Sequence, residues 1–328
     1  MSQDQRLLQC RNWLQQQLKH DRWQLTPLAN DASFRRYFRL QDQDRSYIVM
    51  DAPPERENCK PFIAIAKAMK QLGLCVPEIY VEDLSQGFLL ISDLGNDLYQ
   101  DALSSATVGS LYQRAFTALS ALQNCEEFPN YKLPNFDAAF MQLEFDRTET
   151  WYFERHLALP LTDQIRQLLT DTYTQLVQSA EQQPQVCIHR DYHSRNLMVL
   201  PENQVGILDF QDAMWGPVTY DLVSLIRDCY IDWPSANVAA WALHYKTSIV
   251  KLNVIDKKID DQTFLQWLDL MGMQRHIKCL GIFTRLAYSY GRPQYLSYLP
   301  RVQNYILEIA ARYPSLADFH QFFQGVCK

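Results

Sequence analysis

The pattern of hydrophobic and polar positions divides the chain into a first part rich in β-strand signals and a longer part that is mainly helical. Over residues 3–20, Leu7, Leu14 and Leu18 recur at helical spacing opposite Gln and Arg residues, which predicts an amphipathic first helix that packs on a core. Three short strands with polar turns between them are then predicted, at residues 23–25, 36–40 and 46–50. We expect these strands to form an antiparallel meander.

One further helix and two further strands complete this first part. Asn58 is a favourable helix cap and Gly73 a favourable helix terminator, and the apolar residues between them recur at helical spacing. The two strands are predicted at residues 77–81 and 87–91. The first part is therefore predicted to be a five-stranded antiparallel sheet with one helix.

A change of periodicity near residue 98 marks the second part. From there on the apolar residues follow helical spacing, and short strand signals interrupt them only around residues 187 and 207. We assign residues 1–94 to an N-terminal lobe and residues 95–328 to a mostly helical C-terminal lobe. The predicted fold class is α+β.

Composition narrows the class of partner. With 328 residues, of which 47% are hydrophobic, the chain can bury a large core. Its 31 basic and 37 acidic residues give a net charge of -6 without long runs of one sign, which favours a small-molecule partner over a nucleic acid. The eight cysteines are never closer than 16 positions, so the sequence contains no CxxC zinc or redox pair.

The same features predict where the protein functions. The first residues contain neither a basic n-region nor an apolar h-region, and no run reaches the ~18 apolar residues that a membrane span requires. Cysteines scattered through apolar runs are typical of reduced thiols in a cytosolic core. We expect a soluble, cytoplasmic protein that is a monomer and has no membrane contact.

The strongest chemical signal is the spacing of three polar residues in two blocks that each follow an apolar run. Asp191 stands five residues before Asn196, and Asp209 stands thirteen residues after it. Phosphoryl transfer from ATP requires a carboxylate that takes the proton of the acceptor hydroxyl, together with an amide oxygen and a second carboxylate that hold Mg²⁺. We therefore predict Asp191 as the catalytic base, Asn196 and Asp209 as Mg²⁺ ligands, and His189 as a structural residue of the loop.

Two other interpretations of this segment are open. His189, Asp191 and His193 alternate as they would on one face of a strand, which also suits the zinc site of a hydrolase. A single Asp or Asn is most often a helix cap or a turn residue. Neither interpretation explains the joint spacing of Asn196 and Asp209, which the kinase interpretation does.

The nucleotide is expected to contact two stretches of the N-terminal lobe. The turn at residues 30–34 lies where kinases place a phosphate-covering loop, so Ser33 and Phe34 are candidate contacts, although a solvated hairpin turn would show the same composition. Beside this turn, Arg35 and Arg36 are candidate cations for the phosphates, or else surface arginines of a strand.

The second stretch follows the last predicted strand. Ser92 and Leu94 belong to a short segment that ends in Gly95 and that could form a hinge between the lobes. There the backbone carbonyl and N–H groups would bind the adenine edge without needing a particular side chain.

Residues 136–156 are the candidate region for a sugar. This segment combines many aromatic residues with charged ones, among them Glu144 and Arg147. Aromatic faces cover sugar C–H groups and carboxylates accept from hydroxyls, although an aromatic helix face packed on the core is the commoner meaning of such a pattern.

The blocks at residues 189–196, 207–212 and 216–222 resemble the aminoglycoside phosphotransferase family of small-molecule kinases. The resemblance implies a bilobal, protein-kinase-like fold that uses ATP and Mg²⁺. It also implies that Asp221 is a buried support for the catalytic loop rather than a chemical group.

Four further segments are similar, more narrowly, to the anomeric N-acetylmuramate/N-acetylglucosamine kinases. These segments are residues 31–39, 49–54, 210–213 and 281–286. Those enzymes use ATP to phosphorylate the anomeric hydroxyl of an amino sugar during cell-wall recycling, and the similarity implies the same reaction here. An aminoglycoside or other small-molecule phosphotransferase is the alternative.

The narrower resemblance also bears on the substrate residues. If the sugar is N-acetylmuramate, its lactyl carboxylate requires a cation, for which Arg147 and Arg285 are candidates. Asp212 and Glu144 complete the candidate substrate residues.

The sequence departs from the usual kinase pattern at two places. Met50 occupies the third-strand position where kinases carry a lysine for the α and β phosphates, and the phosphate loop contains no glycine. A non-catalytic nucleotide-binding sensor is therefore a further alternative. The presence of Asp191, Asn196 and Asp209 argues against it, because a sensor needs no catalytic base.

Overall fold

The computed structural model describes residues 3–28, 34–128 and 131–327, which form two compact units. The first unit comprises Met1–Asp97, Phe128–Tyr131 and Met198–Gln211. The second unit comprises Leu98–Glu127, Lys132–Leu197 and Asp212–Lys328.

Helices and strands alternate in the first third of the chain, and helices dominate the remainder. The strands are β1 (Trp23–Pro27), β2 (Arg36–Asp42), β3 (Arg45–Asp51), β4 (Ile79–Asp83), β5 (Phe88–Ser92), β6 (Gln185–Ile188), β7 (Leu197–Val199), β8 (Val205–Ile207) and β9 (Met214–Pro217). The α-helices are α1 (Gln3–Leu18), α2 (Cys59–Gln71), α3 (Tyr99–Ala102), α4 (Val108–Gln123), α5 (Ala138–Thr148), α6 (Asp163–Glu181), α7 (Tyr220–Ile226), α8 (Ser235–Lys251), α9 (Asp261–Tyr290), α10 (Leu299–Arg312) and α11 (Ala317–Val326). A π-helix spans Glu149–His156, and short 3-10 helices span Pro201–Asn203, Pro293–Tyr298 and Pro314–Leu316.

The first unit is built on a five-stranded antiparallel sheet in the order β1-β2-β3-β5-β4. This sheet confirms the predicted meander and the two later strands. The predicted second helix is α2, which Asn58 caps by accepting the N–H of Lys60 at 3.0 Å. The hairpin of β7 and β8 joins the unit, where the N–H of Ile207 donates to the carbonyl of Cys75 at 2.8 Å.

Helix α1 packs against this sheet through its apolar face, as its periodicity predicted. Cys10 and Leu14 are fully buried, and Trp13 on the same face is 2% exposed. These side chains share a core with Phe38 of β2 and Phe88 of β5. Large apolar side chains that leave water in this way supply most of the stability of such a contact.

A buried carboxylate ties α1 to the sheet as well. Asp51, at the end of β3, is fully buried and accepts the Nε–H of Arg6 at 2.8 Å and the Nε–H of Arg36 at 2.9 Å. Arg36 is the cross-strand partner of Asp51 in the sheet. An unpaired carboxylate at such a position would be strongly destabilising, so the two guanidinium groups are needed for its burial.

The second unit is organised around α9, which is 30 residues long and has most of its side chains buried. Helices α5, α6, α7, α8 and α10 all pack against it. The short strands β6 and β9 form a separate antiparallel pair in this unit. This mostly helical architecture was predicted from the apolar spacing after residue 98.

Helices α5 and α9 approach each other closely at a glycine. A Cβ atom on Gly281 would lie 2.6 Å from Oγ1 and 2.8 Å from Cα of Thr148, distances at which atoms overlap. The hydroxyl of Thr148 donates to the carbonyl of Ile277 across the same crossing at 2.8 Å. Glycine at position 281 is therefore what allows the two helix backbones to meet.

Two general expectations can be compared with this architecture. All eight cysteines are free thiols in the described part of the chain, which agrees with the absence of paired spacing in the sequence. Among the helices described here, none combines the length and the apolar character needed to cross a membrane.

Candidate active site

The predicted catalytic loop begins directly after β6, a strand whose last three residues are buried. His189 is fully buried, and its Nδ1 accepts the backbone N–H of Asp191 at 3.2 Å. This nitrogen is therefore already engaged inside the loop, which suits the structural role predicted for His189 and disfavours a zinc ligand. Among residues 3–28, 34–128 and 131–327, no group of three or more His, Cys, Asp or Glu side chains is placed to hold a metal ion.

Asp221 fixes the start of the loop through hydrogen bonds to its backbone. Its carboxylate, at the start of α7, accepts the N–H of His189 at 2.5 Å and the N–H of Arg190 at 2.9 Å. Burial raises the pKa of Asp221 to about 6, although the nearby His189 and these two amides act in the opposite direction. These contacts are consistent with the buried support that the family resemblance implied, and that role stays a prediction.

Arg190 combines a strained backbone with a side chain that makes several contacts. Its φ of 76° lies in the left-handed region, where residues other than glycine are rare. Its guanidinium lies 3.3 Å from a carboxylate oxygen of Glu144, stacks on Phe140 at 4.8 Å, and donates to the backbone carbonyl of Asp212 at 3.4 Å. A glycine would adopt this backbone conformation more easily, but it could not form these side-chain contacts.

Asp191, the predicted base, is only partly buried. Its side chain is 36% exposed, and one carboxylate oxygen lies 3.8 Å from the ammonium of Lys278. Burial would raise the pKa of Asp191, but the positive charges of Lys278, His193 and Arg190 outweigh it and lower that pKa. The carboxylate is therefore ionised at neutral pH and able to accept a hydrogen bond from a hydroxyl.

Asn196 folds back on the same loop. Its Nδ2 donates to the backbone carbonyl of Asp191 at 3.0 Å, and its backbone N–H donates to the carbonyl of His193 at 2.9 Å. Because the amide nitrogen is used within the loop, the amide oxygen is oriented away from it. Amide and carboxylate oxygens are the donors that Mg²⁺ prefers, so the predicted pair Asn196 and Asp209 fits this ion chemically.

Asp209 lies in the first unit, two residues after β8. Its φ of 61° is left-handed, and one carboxylate oxygen accepts from the amide of Gln211 at 2.8 Å. The neighbouring Phe210 stacks on Phe62 of α2 at 4.8 Å, which holds this segment against that helix. Sequence spacing identified Asp209, but it contained no signal for the unusual backbone angle.

Around the phenol of Tyr37, the first unit gathers Asp209, Arg35 and Glu57. Burial is the main cause that raises the pKa of Tyr37, and the carboxylates of Asp209 and Glu57 raise it further while Arg35 lowers it. Arg35 forms an ion pair with Glu57 at 3.0 Å, directly before α2. The charges of Arg35 and of the predicted metal ligand Asp209 thus both act on the phenol of Tyr37.

The other predicted nucleotide contacts differ in what the structure shows of them. Ser33 lies outside the described residues. Phe34 is 54% exposed, with the guanidinium of Arg56 at 4.7 Å from its ring centre. Arg36 is paired with the buried Asp51 in the sheet, so this contact is structural, whereas Arg35 is paired with Glu57.

The predicted hinge follows β5. The backbone N–H of Ser92 donates to the carbonyl of Glu78 at 2.8 Å, and the Ser92 hydroxyl accepts the N–H of Glu78 at 2.9 Å. In the part of the chain that the structure describes, no backbone hydrogen bond is formed by Leu94. Its N–H group and its carbonyl group can therefore each form the hydrogen bond that adenine recognition requires. A Cβ on Gly206 would lie 3.0 Å from the Leu94 side chain, so an apolar wall stands beside it.

The predicted substrate residues lie on three elements: Glu144 and Arg147 on α5, Arg285 on α9, and the exposed Asp212 just before β9. Glu144 is 2% exposed and is engaged by Arg190, by Lys278 at 3.8 Å, and by the amide of Gln274 at 2.9 Å. This carboxylate therefore has its partners inside the protein, and a direct contact with a sugar hydroxyl stays only a prediction.

Arg147 directly precedes Thr148 in α5, and Arg285 follows Gly281 by about one turn in α9. Arg147 is half-buried and, among the described residues, has no hydrogen-bond or ion-pair partner. Burial, and then the charge of Arg285, lower the pKa of Arg147. Arg285 donates to the hydroxyl of Tyr290 at 3.3 Å. Two guanidinium groups that repel each other and lack a carboxylate partner form a suitable place for an anion.

Sequence analysis missed Lys278. This residue lies in the middle of α9, is 5% exposed, and contacts both the predicted base and Glu144. A usable signal existed, because Arg275 and Lys278 interrupt a long apolar stretch of that helix. Charged residues are almost never fully buried unless they are paired, so their presence there predicts buried partners.

The aromatic residues of 136–156 mostly pack within the second unit. Phe145 stacks on Tyr173 at 3.9 Å with nearly parallel rings, and Tyr152 and Phe153 are 0% and 2% exposed. The commoner meaning of this aromatic pattern, a helix face packed on the core, is thus what the structure shows for these three rings.

Comparison with known proteins identifies the family. The model of the phosphotransferase enzyme family, APH, matches residues 24–248. The N-acetylmuramate/N-acetylglucosamine kinase of Pseudomonas aeruginosa is 41% identical over 99% of this chain and 98% of its own length. These matches confirm the resemblance that the catalytic motifs indicated.

Solved structures share the fold at low identity. The ethanolamine kinase of Plasmodium vivax has a TM-score of 0.65 at 13% identity, covering 87% of this chain and 82% of its own. The ADP-bound aminoglycoside phosphotransferase APH(2'')-Ib has a TM-score of 0.57 at 15% identity, covering 90% of this chain and 95% of its own. The predicted protein-kinase-like α+β fold class is therefore confirmed. The chain belongs to the APH phosphotransferase enzyme family.

Proposed function

We propose that this protein is an ATP-dependent kinase that phosphorylates the anomeric hydroxyl of N-acetylmuramate, N-acetylglucosamine or both, in the cytoplasmic recycling of peptidoglycan. The observation that carries the proposal is the partly exposed carboxylate of Asp191, ionised and held by Lys278 on a loop that Asp221 supports. The relative from Pseudomonas aeruginosa bears the name of this activity.

The reaction would be a direct in-line transfer. Asp191 accepts the hydrogen bond of the C1 hydroxyl, which orients the oxygen toward the γ-phosphorus of ATP. A bond forms between that oxygen and phosphorus, the bond to the β-phosphate oxygen breaks, and the hydroxyl proton passes to the carboxylate. An anomeric hydroxyl is more acidic than an ordinary alcohol, so the pKa of the base does not have to be raised for it to assist this proton transfer.

ATP would be held by residues of the first unit. The open backbone groups of Leu94, next to Ser92, suit the adenine edge. Arg35, whose guanidinium is oriented by its ion pair with Glu57, would place positive charge at the phosphates. This charge would replace that of the lysine that kinases carry at the position of Met50. Asn196 and Asp209 would hold Mg²⁺, which supplies charge neutralisation on the β and γ phosphates when it is bound.

The acceptor side of the second unit favours an anionic sugar. Four positive side chains, Arg147, Arg190, Lys278 and Arg285, are accompanied by three carboxylates, Glu144, Asp191 and Asp212. A polycationic antibiotic would be repelled by this balance, whereas the lactyl carboxylate of N-acetylmuramate would be attracted. Asp212 is then a candidate for a sugar hydroxyl. A monomer suffices for this site.

The test is turnover with defined acceptors. The protein is incubated with Mg-ATP and N-acetylmuramate, N-acetylglucosamine or kanamycin, and ADP release is followed, with phosphate on C1 identified by ³¹P NMR. We expect turnover with at least one of the two amino sugars. The Asp191→Asn variant is the control and should lose about 10²-fold or more in turnover while it keeps its ATP affinity.

Each other outcome has a definite meaning. Turnover with kanamycin alone would overturn the proposed substrate. Nucleotide binding without turnover on any acceptor would favour the sensor alternative over a kinase.

A further inference from the structure

We propose that Lys278 is a positioning residue for phosphoryl transfer, whose ammonium group holds the carboxylate of Asp191 in the orientation that receives the acceptor hydroxyl. This inference rests on the proposed kinase function and on the assignment of Asp191 as the base. It concerns a residue of α9, far from the catalytic loop in sequence.

The contacts of Lys278 define its direction. Its Nζ lies 3.8 Å from a carboxylate oxygen of Asp191, 3.8 Å from a carboxylate oxygen of Glu144, and donates to the hydroxyl of Tyr220 at 3.3 Å. The side chain is 6% exposed, so these three groups rather than water surround the ammonium. Three partners at fixed positions leave the lysine little freedom.

Glu144 orients Lys278 and does not itself depend on it. The carboxylate of Glu144 also accepts from Arg190 at 3.3 Å and from Gln274 at 2.9 Å. With these two donors Glu144 keeps partners when the lysine is absent. The ammonium is thus held from one side by Glu144 and Tyr220 and reaches Asp191 with the other.

Stability alone gives a poor account of this arrangement. Burying a lysine is costly, and buried ion networks are often no more stable than apolar side chains of the same volume. Helix α9 also buries Gln274, Arg275 and His276 just before this position, but the residues that flank Lys278 directly, Ile277 and Cys279, are apolar. A methionine would fill the same space without the desolvation cost, so the charge at position 278 calls for a functional reason.

The other charged groups near Asp191 do not replace Lys278. Arg190 is directed to Glu144, Phe140 and the carbonyl of Asp212, and the guanidinium of Arg275 lies 3.6 Å from the sulfur of Cys229. The remaining ionisable groups around the base are His189, His193, Glu144, Tyr220, Asp221 and Cys279. Within the described part of the chain, Lys278 is the cation within ion-pair distance of the Asp191 carboxylate.

The predicted consequence of losing this contact is a loss of orientation. A misplacement of about 1 Å at a reacting group is enough to cost about 10²-fold in rate. We therefore expect Lys278→Met to lower kcat by about 10- to 100-fold, with KM for ATP and for the uncharged N-acetylglucosamine changed by less than about threefold, because binding of these two substrates does not require the lysine.

A double-mutant cycle separates this role from a structural one. Lys278→Met is measured in the wild-type protein and in the Asp191→Asn variant, with thermal unfolding recorded for each protein. If Lys278 acts through Asp191, its replacement has little further effect on kcat once the carboxylate is gone. A lysine that only supports the fold would lower kcat by the same factor in both backgrounds, and that result would overturn the inference.

A matched control comes from a second buried lysine. Lys246 of α8 is 8% exposed and pairs with Asp261 at 2.6 Å, in a part of the unit without catalytic residues. Lys246→Met should leave kcat within about twofold of the wild-type value. An equal loss in both lysine variants would assign the effect to general destabilisation and contradict a positioning role.

Two further measurements keep the outcome decisive. If Lys278→Met does not fold, the cycle is run with Lys278→Met/Glu144→Gln, which removes one charge of each sign, and the same disappearance of the effect is expected. Failure of the proposed function is visible separately, because the wild-type protein itself would then not phosphorylate the amino sugars. In that case the cycle uses the slow hydrolysis of ATP by water as its readout.

Discussion

Arg190 and Asp209 show what sequence spacing could and could not predict about single residues. The spacing identified the loop that begins at position 189 and the later carboxylate. It did not predict that both residues adopt left-handed backbone angles, with φ of 76° and 61°, because arginine rarely adopts that conformation and the enrichment of aspartate in it does not identify a particular position. The same limit applies to Lys278, whose distance to Asp191 depends on how α9 packs and not on local sequence.

The two unpaired arginines allow a prediction at the residue scale. Arg147→Met and Arg285→Met should each raise KM for N-acetylmuramate about 10-fold or more, because a charge-assisted contact with the lactyl carboxylate would be lost. KM for N-acetylglucosamine, which lacks that carboxylate, should change by less than about twofold. Steady-state kinetics with both sugars measure the difference.

The control for this prediction is Arg155→Met. Arg155 stacks on Trp151 at 5.2 Å and lies a little further along the same chain segment, outside the group of charges around Asp191. Equal increases in KM for both sugars in the Arg147 and Arg285 variants would contradict a role in binding the carboxylate.

At the scale of elements, helical spacing and strand alternation were sufficient to predict the five-stranded sheet, α1 and α2. The aromatic segment after residue 136 was ambiguous, because an aromatic face serves a core as well as a sugar. The change from α5 to a π-helix at Glu149 also has no clear sequence signal. Such choices depend on tertiary contacts, here the close approach of α5 to α9.

The glycine at this approach gives a prediction about helix packing. Gly281→Ala should lower the free energy of unfolding by about 1–3 kcal/mol, since its methyl group would overlap Thr148 and force the helices apart. Gly109→Ala in α4 is the matched control, because a Cβ there meets no atom within 4 Å and alanine favours a helix by up to ~1 kcal/mol.

Urea unfolding of both variants tests this prediction. Opposite signs are expected for the two glycines. If both substitutions were stabilising, the crossing at Gly281 would have to be looser than the structure shows.

At the scale of the whole molecule, each unit collects segments that are distant in the chain. Residues 198–211, which include Asp209, group with the first unit, whereas residues 132–197 group with the second. A single boundary at residue 94 cannot assign a later segment to the first unit, because hydrophobic periodicity reports only local structure. The family motifs, by contrast, were informative over nearly the full length.

The stability of the protein should depend on pH through His276. This side chain is fully buried, and its Nε2 lies 3.0 Å from the carbonyl of Arg227. Burial, and then the charge of Arg275, lower the pKa of His276 to about 3. The unfolded chain, with an ordinary imidazole pKa near 6.5, binds more protons between these values, so stability falls as pH falls below about 6.5.

His276→Gln should remove this dependence. We expect the free energy of unfolding of the wild-type protein to fall more steeply between pH 6.5 and 4 than that of the variant, by up to ~1.4 kcal/mol per pH unit. Asp221, whose pKa is raised to about 6 by burial, acts with the opposite sign in both proteins, so the difference in slope isolates the histidine.

The control is His244→Gln, which removes an exposed imidazole that contacts Gln113. Parallel pH profiles for the wild-type protein and the His276 variant would show that this buried ring does not contribute.

The carboxylate of Asp51, which joins Arg6 to Arg36, has a practical consequence for work with this chain. A truncation that removes α1 would remove Arg6 and leave the buried carboxylate with Arg36 alone. We therefore expect a protein that is shortened in this way to be less stable. Affinity tags and fusion partners are better placed after α11, which is far in sequence from the Arg6–Asp51 ion pair.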